Sequence, residues 1–137
     1  MISSRRVDDL HPRVARMCRA LLAAAKAAGI DLIVTSTYRD HEAQDALYAQ
    51  GRTRPGKVVT QVRGGQSMHN YRLAFDVVPV RDGKAVWNDD ALWREVGKLG
   101  QGVGLEWGGA WRRFKDRPHF QWTDGLTIKE LQAGKRP

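Results

Sequence analysis

Apolar positions recur at helical spacing near the start of the chain. Leu10, Val14, Met17, Leu21 and Ala25 fall three or four residues apart, which puts them on one face of a helix. Asp8 or Asp9 is the expected cap and Gly29 the expected stop, so the helix reaches about Ala28. From Ile30 to Thr37 the pattern becomes a short run rich in β-branched residues, expected as a buried strand. Asp40 can cap a second helix from about His41 to Gln50, which Gly51 closes. Arg52 to Gln66 has no sustained period and predicts a long loop, with a short strand at most around Val58 to Val62.

Leu73 to Val80 reads as the next strand, Arg81 to Lys84 as a hairpin turn, and Ala85 to Trp87 as the returning strand. Asp89 or Asp90 starts a third helix to about Leu99, and a glycine-rich stretch from Gly100 to Gly109 follows. His119 to Trp122 is a last short strand. Residues 125–137 form a short C-terminal tail that begins with a helical turn or two at Thr127 to Ala133. Helices and strands are mixed, and the late strands connect as hairpins. The fold class expected is α+β, a small antiparallel sheet flanked by helices, rather than a doubly wound parallel sheet.

Size and charge narrow the picture. A chain of 137 residues is expected to form one domain, residues 1–137, with its own hydrophobic core. The single cysteine, Cys18, excludes an intramolecular disulfide and a multi-thiolate metal site. No stretch approaches the roughly 20 apolar residues that span a bilayer, and the N-terminus has no apolar core of the secretory kind. The formal net charge of +8 draws the protein toward polyanions. Its basic residues are scattered, at Arg5-Arg6, Arg52 to Lys57, Arg112-Arg113 and Lys135-Arg136. Nucleic acid is therefore not the expected partner, and an anionic wall or membrane surface fits better.

Chemistry concentrates in two short blocks. His69 and Asp76 lie seven residues apart, and Asp116 and His119 lie three apart. Two histidines and a carboxylate can hold a zinc ion and leave a coordination position open, which separates a catalytic zinc from a structural one. Asp116 could then be the base that deprotonates a water. Asp76 sits on an apolar strand, where a lone charge is costly; a metal or an arginine would satisfy it equally. A satisfied core histidine with a buried salt bridge explains the same spacing. His41-Glu-Ala-Gln-Asp45 starts like the zincin helix but lacks the second histidine, so helix capping and exposure account for His41.

Further motifs complete a resemblance. Ser67-x-His69-x4-Ala74-x-Asp76 and Asp116-x-x-His119, with Ser36-Thr-Tyr-Arg39, Gln44, Gly104-Leu-Glu-Trp-Gly-Gly109 and Trp111, resemble the zinc peptidases of the D-alanyl-D-alanine carboxypeptidase and lysostaphin-related LAS group. The chain looks most like the phage L-alanyl-D-glutamate endopeptidase endolysins of peptidase family M15. The resemblance implies the hedgehog/DD-peptidase-like zinc peptidase fold, one Zn2+ per chain, and His69, Asp76 and His119 as metal ligands. It implies Asp116 as general base and Arg39 as the cation that meets the oxyanion. Ser67 and Gln44 would line the substrate cleft, and Trp107 would form a wall of it. For Arg39 a structural salt bridge is an equal alternative, and Glu106 rivals Asp116 as base. The family usually has glycine where this chain has Arg72, which would be strained if the turn needs positive φ or would project a cation beside the site.

The resemblance further implies peptidoglycan stem peptides as substrate, a monomer without a separate wall-binding domain, and synthesis in the host bacterial cytoplasm. Action in the periplasm or wall would then need a holin-type pore for release. Two rivals remain: a D,D- or L,D-carboxypeptidase with the same metal site, and a non-catalytic basic module for wall polymer or nucleic acid.

Overall fold

In the computed structural model, which describes residues 1–137, helix α1 spans Pro12–Ala27. Its first residue is Pro12 because a proline is favoured at N1 and holds the residue before it out of the helical region. His11 therefore becomes the cap, its Nδ1 accepting from Arg13 N at 3.1 Å. The expected caps Asp8 and Asp9 lie earlier, in a 3-10 turn over Val7–Asp9. Val14, Leu21 and Ala25 are buried along α1 as the spacing predicts, while Cys18 is buried in place of the expected Met17, which is only partly buried.

Strand β1 (Asp31–Ser36) was expected to be buried but forms the edge of the sheet. The antiparallel order is β1-β2-β5-β4, with β2 at Ala74–Arg81, β4 at Glu106–Trp107 and β5 at His119–Gln121. The short β3 (Lys84–Ala85) pairs with the far end of β2. β-branched residues suit an edge and a centre alike, so composition alone could not tell that Ile33 would be 49% exposed. β2 lies inside the sheet, and only Arg81 at its far end is exposed. Asp82 and Gly83 turn it into β3 with φ of 54° and 75°, the paired positive values of a type I′ hairpin turn.

Helix α2 spans His41–Ala49, and Asp40 caps it by accepting from Ala43 N at 2.8 Å. Residues 52–66 form no strand, and Val58 and Val59 are exposed. Helix α3 (Asp90–Gly102) is capped by Asp89 and runs three residues beyond the expected Leu99. Packing overrides glycine's low helix propensity there: a Cβ on Gly100 would lie 2.2 Å from the Phe120 ring. The tail over 125–137 is docked rather than loose. Helix α4 (Ile128–Gln132) buries Leu131 in the core, and Gln132 donates to Gly65 O at 3.1 Å.

The core lies between α1, α3 and one face of the sheet, around Leu21, Phe75, Trp93 and Phe120. Phe75 and Phe120 stack across β2 and β5 with ring centroids 5.8 Å apart. This packing fixes the register that puts Asp76 directly opposite His119. No helix is long and apolar enough to cross a membrane.

Candidate metal centre and cleft

Asp76 and His119 are cross-strand neighbours because side chains alternate along each strand and the two registers match. Beside them β1 carries an irregularity: Val34 pairs with Val77, but Ser36 pairs with Asp76. Such a bulge bends the strand away from its partner. The Thr37 carbonyl just beyond it meets His69 Nδ1 at 2.7 Å.

His69 itself stands on a 3-10 turn, Met68–Tyr71, with a capping box between Ser67 and Asn70. Ser67 Oγ accepts from His69 N at 3.2 Å. The Asn70 amide donates to Arg39 O at 2.9 Å and accepts from Gly65 N and Ser67 N. The turn is thereby locked to the end of β1, which holds the His69 ring against the sheet.

The ligating atoms of His69, Asp76 and His119 all lie within 4.8 Å of one another. Asp76 Oδ1 is 3.3 Å from His69 Nε2 and 3.5 Å from His119 Nδ1. His69 Nε2 and Asp76 Oδ1 are buried, yet neither has a hydrogen-bond partner. Buried polar atoms without partners are rare and costly, and a cation between them satisfies both. The donor set, two imidazoles and one carboxylate, fits a transition-metal ion such as zinc.

The second nitrogen of each ring is already committed. His69 Nδ1–H donates to the Thr37 carbonyl, and His119 Nε2 meets Gln121 Oε1 at 2.7 Å. These bonds leave Nε2 of His69 and Nδ1 of His119 as the inward-facing lone pairs. Burial lowers the His69 pKa more than the Asp76 charge raises it, which favours the neutral form a ligand needs. Burial opposes the charged form of Asp76, but the two imidazoles beside it hold it well below the usual carboxylate range. For His119 burial is outweighed by hydrogen bonding and attraction to Asp76, so its pKa rises. A metal ion bound there would take the place of that proton.

Asp116 sits at the rim of this cluster, half-exposed, with Oδ2 3.9 Å from His119 Nδ1. Burial, aided by the Asp76 charge, raises its pKa despite the nearby cations, the direction that improves a carboxylate as a base. Its position depends on a close approach of two backbones. Asp116 N donates to Gly108 O at 3.0 Å, and a Cβ on Gly108 would lie 2.4 Å from Asp116 O. Only glycine fits there.

Arg39 is on the cleft floor. Its Nε donates to Ser36 Oγ at 3.1 Å, one Nη to Gln44 Oε1 at 2.7 Å, and the other to Asp76 Oδ2 at 3.4 Å. The alternative partner, Asp40, is instead occupied with Ala43 and the N-terminal segment. A guanidinium has five N–H donors, so Arg39 retains donors for an oxygen arriving in the cleft.

The cleft has a volume of about 600 Å³ and is lined by Arg39, Ser67, His69, Asp76, Asp116 and His119. Two expected members lie outside it. Gln44 is fully buried; its amide holds Arg39 and donates to Thr60 Oγ1 at 3.2 Å and Val62 O at 3.0 Å, tying down the loop over 52–66. Trp107 is packed in the core, its indole donating to Arg117 O at 2.8 Å. The wall is formed by Trp111, whose ring lies 5.2 Å from that of His119. Gln121 also lines the cleft. Its position two residues after His119 on a strand was the available signal, since i and i+2 share a face.

Arg72 does adopt the left-handed conformation, with φ 64°. Its guanidinium stacks on Tyr38 at 3.9 Å and donates to Asp9 O at 2.7 Å, so it points away from the cleft and puts no cation beside the site. His41 and Asp45 form no metal cluster; the one such group is His69, Asp76 and His119.

Comparison with known proteins agrees with this geometry. A family model described as D-alanyl-D-alanine carboxypeptidase matches residues 60–122. The peptidoglycan L-alanyl-D-glutamate endopeptidase CwlK of Bacillus subtilis strain 168 is 45% identical over 123 residues, covering 83% of this chain and 74% of that protein. The L-alanyl-D-glutamate peptidase of Listeria phage A118 is 29% identical over 121 residues, covering 84% of this chain and 38% of that protein. Among solved structures, the L-Ala D-Glu endopeptidase ChiX of Serratia marcescens superposes with a TM-score of 0.65 at 21% identity, covering 96% of this chain and 92% of that one. The small α+β fold is thus shared with ChiX and with VanYB, the latter at a TM-score of 0.63 and 17% identity, covering 99% of this chain and 90% of that one.

Proposed function

The chain belongs to peptidase family M15, and from that premise we propose that it is a zinc-dependent peptidoglycan hydrolase that cuts the L-Ala–D-Glu bond of stem peptides. The observation that carries the reading is the buried pair of unsatisfied atoms, His69 Nε2 and Asp76 Oδ1, aimed at one point with His119 on the floor of an open cleft.

His69 Nε2, Asp76 Oδ1 and His119 Nδ1 would hold one zinc ion. When bound, zinc supplies a Lewis acid for the scissile carbonyl and lowers the pKa of a water to about 7. Asp116 takes a proton from the attacking water and passes it to the leaving amine, a role its raised pKa favours. Arg39 directs its remaining N–H donors at the oxygen on which negative charge develops. One such donor can contribute about 3 kcal/mol to the transition state. Arg39 needs no rearrangement to do so, because Ser36, Gln44 and Asp76 already hold it. Ser67 supports the site by fixing the His69 turn, and Trp111 is the aromatic wall against which the peptide lies.

The choice of the L-Ala–D-Glu bond rests on the L-alanyl-D-glutamate endopeptidase relatives. Their sources are a bacterium and a phage. A lytic role, with release through a membrane pore, is the part of the proposal that rests on the sequence motifs. The excess of positive charge supports attraction to an anionic wall.

Two synthetic substrates test the reading: a stem peptide beginning L-Ala-D-Glu, and one ending D-Ala-D-Ala that lacks that bond. The proposal expects chelator-sensitive release of L-Ala from the first and no release of D-Ala from the second. Release of D-Ala alone would make the protein a carboxypeptidase.

A further inference from the structure

Glu106, the carboxylate that rivals Asp116 in the sequence, does not line the cleft, so it is not placed to act as base. It is nevertheless connected to the metal centre. Strand β4 pairs with β5 so that Glu106 lies directly opposite Gln121, and Gln121 shares a strand face with His119. Glu106 Oε2 accepts from Trp111 Nε1 at 2.7 Å and from Gln121 Nε2 at 3.3 Å. Gln121 Oε1 in turn meets His119 Nε2 at 2.7 Å. The Trp111 ring closes the circuit by lying 5.2 Å from the His119 ring.

The chemistry of these groups allows one direction only. A carboxylate accepts and an indole N–H donates. Glu106 therefore requires the Gln121 amide to present its NH2 toward β4 and its oxygen toward His119. That oxygen requires a proton on His119 Nε2, which leaves the Nδ1 lone pair facing Asp76. His69 obtains the same service from the Thr37 main-chain carbonyl, which no side-chain substitution removes. The orientation of His119 depends on side chains alone.

We propose that Glu106 is a positioning residue whose carboxylate, through Gln121, sets the ligating face of His119 and at the same time pins the Trp111 wall over it. The wall that receives the substrate and the ligand that holds the metal thus share one anchor on the protein surface. This rests on the metal site proposed above.

The test is zinc affinity, measured by competition with a chromophoric chelator, together with the indole N–H resonance of Trp111 in the zinc-loaded protein. Glu106→Ala should weaken zinc binding by about 10-fold, the low end of the cost of losing a ligand's direct partner because Glu106 acts through Gln121, and should shift the Trp111 resonance. Glu106→Gln, whose amide oxygen can still accept from both neighbours, should restore affinity to within about 3-fold of wild type, well short of that loss. Gln121→Ala should weaken zinc binding while leaving the Trp111 resonance in place, which general loosening of the site would not do. Wild-type affinity in Glu106→Ala, or an unmoved Trp111 resonance there, overturns the proposal. Wild-type protein that takes up no zinc overturns the metal site itself, and this proposal with it.

Discussion

Replacing Gln44 with alanine separates its two assigned roles, cleft contact and buried brace. The side chain is fully buried and makes three hydrogen bonds: it accepts from Arg39 and donates to Thr60 and Val62. The bond from the charged guanidinium is worth about 1.5–3 kcal/mol and each neutral one about 1 kcal/mol. Their loss, with three polar partners left behind, gives a destabilisation of about 4 kcal/mol. A domain of this size is typically stable by about 5–15 kcal/mol, so the variant still folds. With a urea slope of about 2 kcal/mol/M, its denaturation midpoint should fall by about 2 M. Gln44→Met keeps the volume and loses the same bonds, so it should recover little. Activity should fall in both variants, because Arg39 loses its strongest brace and the loop over 52–66 loses its tether. A midpoint within about 0.5 M of wild type, a loss of about 1 kcal/mol, would refute the bracing role and restore Gln44 to the cleft.

Other outcomes follow from the same geometry. Asp116→Asn should bind zinc as wild type does but lose about 10²- to 10⁴-fold in kcat, measured by single-turnover hydrolysis; full activity would remove Asp116 as base. Burial raises the Cys18 thiol from 9.0 to about 12. A raised folded-state pKa stabilises below the unfolded value and is lost as pH rises through the folded one. The stability advantage of wild type over Cys18→Ala should therefore be constant below pH 9 and shrink between about pH 9 and 12, read by denaturant titration at each pH. Arg72→Gly relieves a left-handed backbone worth about 1 kcal/mol but loses the Tyr38 stack and the bond to Asp9 O. The two nearly cancel, and the melting temperature should move by less than about 4 °C.

The spacing of the candidate site left a metal and a core salt bridge open, and the family resemblance singled out His69, Asp76 and His119, which the fold brings together. His69 to Asp76 spans a turn and the strand that follows it, and Asp116 to His119 a single short segment, so their spacing survives folding. The cap Asp40, and Asp89 as one of two candidates, were readable for the same reason, whereas Thr127, expected inside the last helical turn, is its cap. What sequence could not resolve depended on contacts across the sheet. Ile33 looks like a core residue until β1 turns out to be an edge. Gln44 and Trp107 carry the right chemistry for a cleft, yet α2 and the Gly97 face of α3 take them into the interior; a Cβ on Gly97 would lie 2.3 Å from the Trp107 ring. Asp8 and Asp9 were plausible caps that Pro12 displaced by a turn. Glu106 gave no local sign of its tie to His119, which passes through a strand pairing between segments 15 residues apart.

Digestion of purified peptidoglycan tests the central claim most directly. Protein stripped with a chelator, then restored with zinc, is incubated with wall material and the new termini are identified by mass spectrometry. New D-Glu amino termini are expected from the zinc-restored protein and none from the stripped protein or from Asp116→Asn. D-Glu termini that appear equally without metal, or zinc-dependent release of D-Ala in their place, would contradict it.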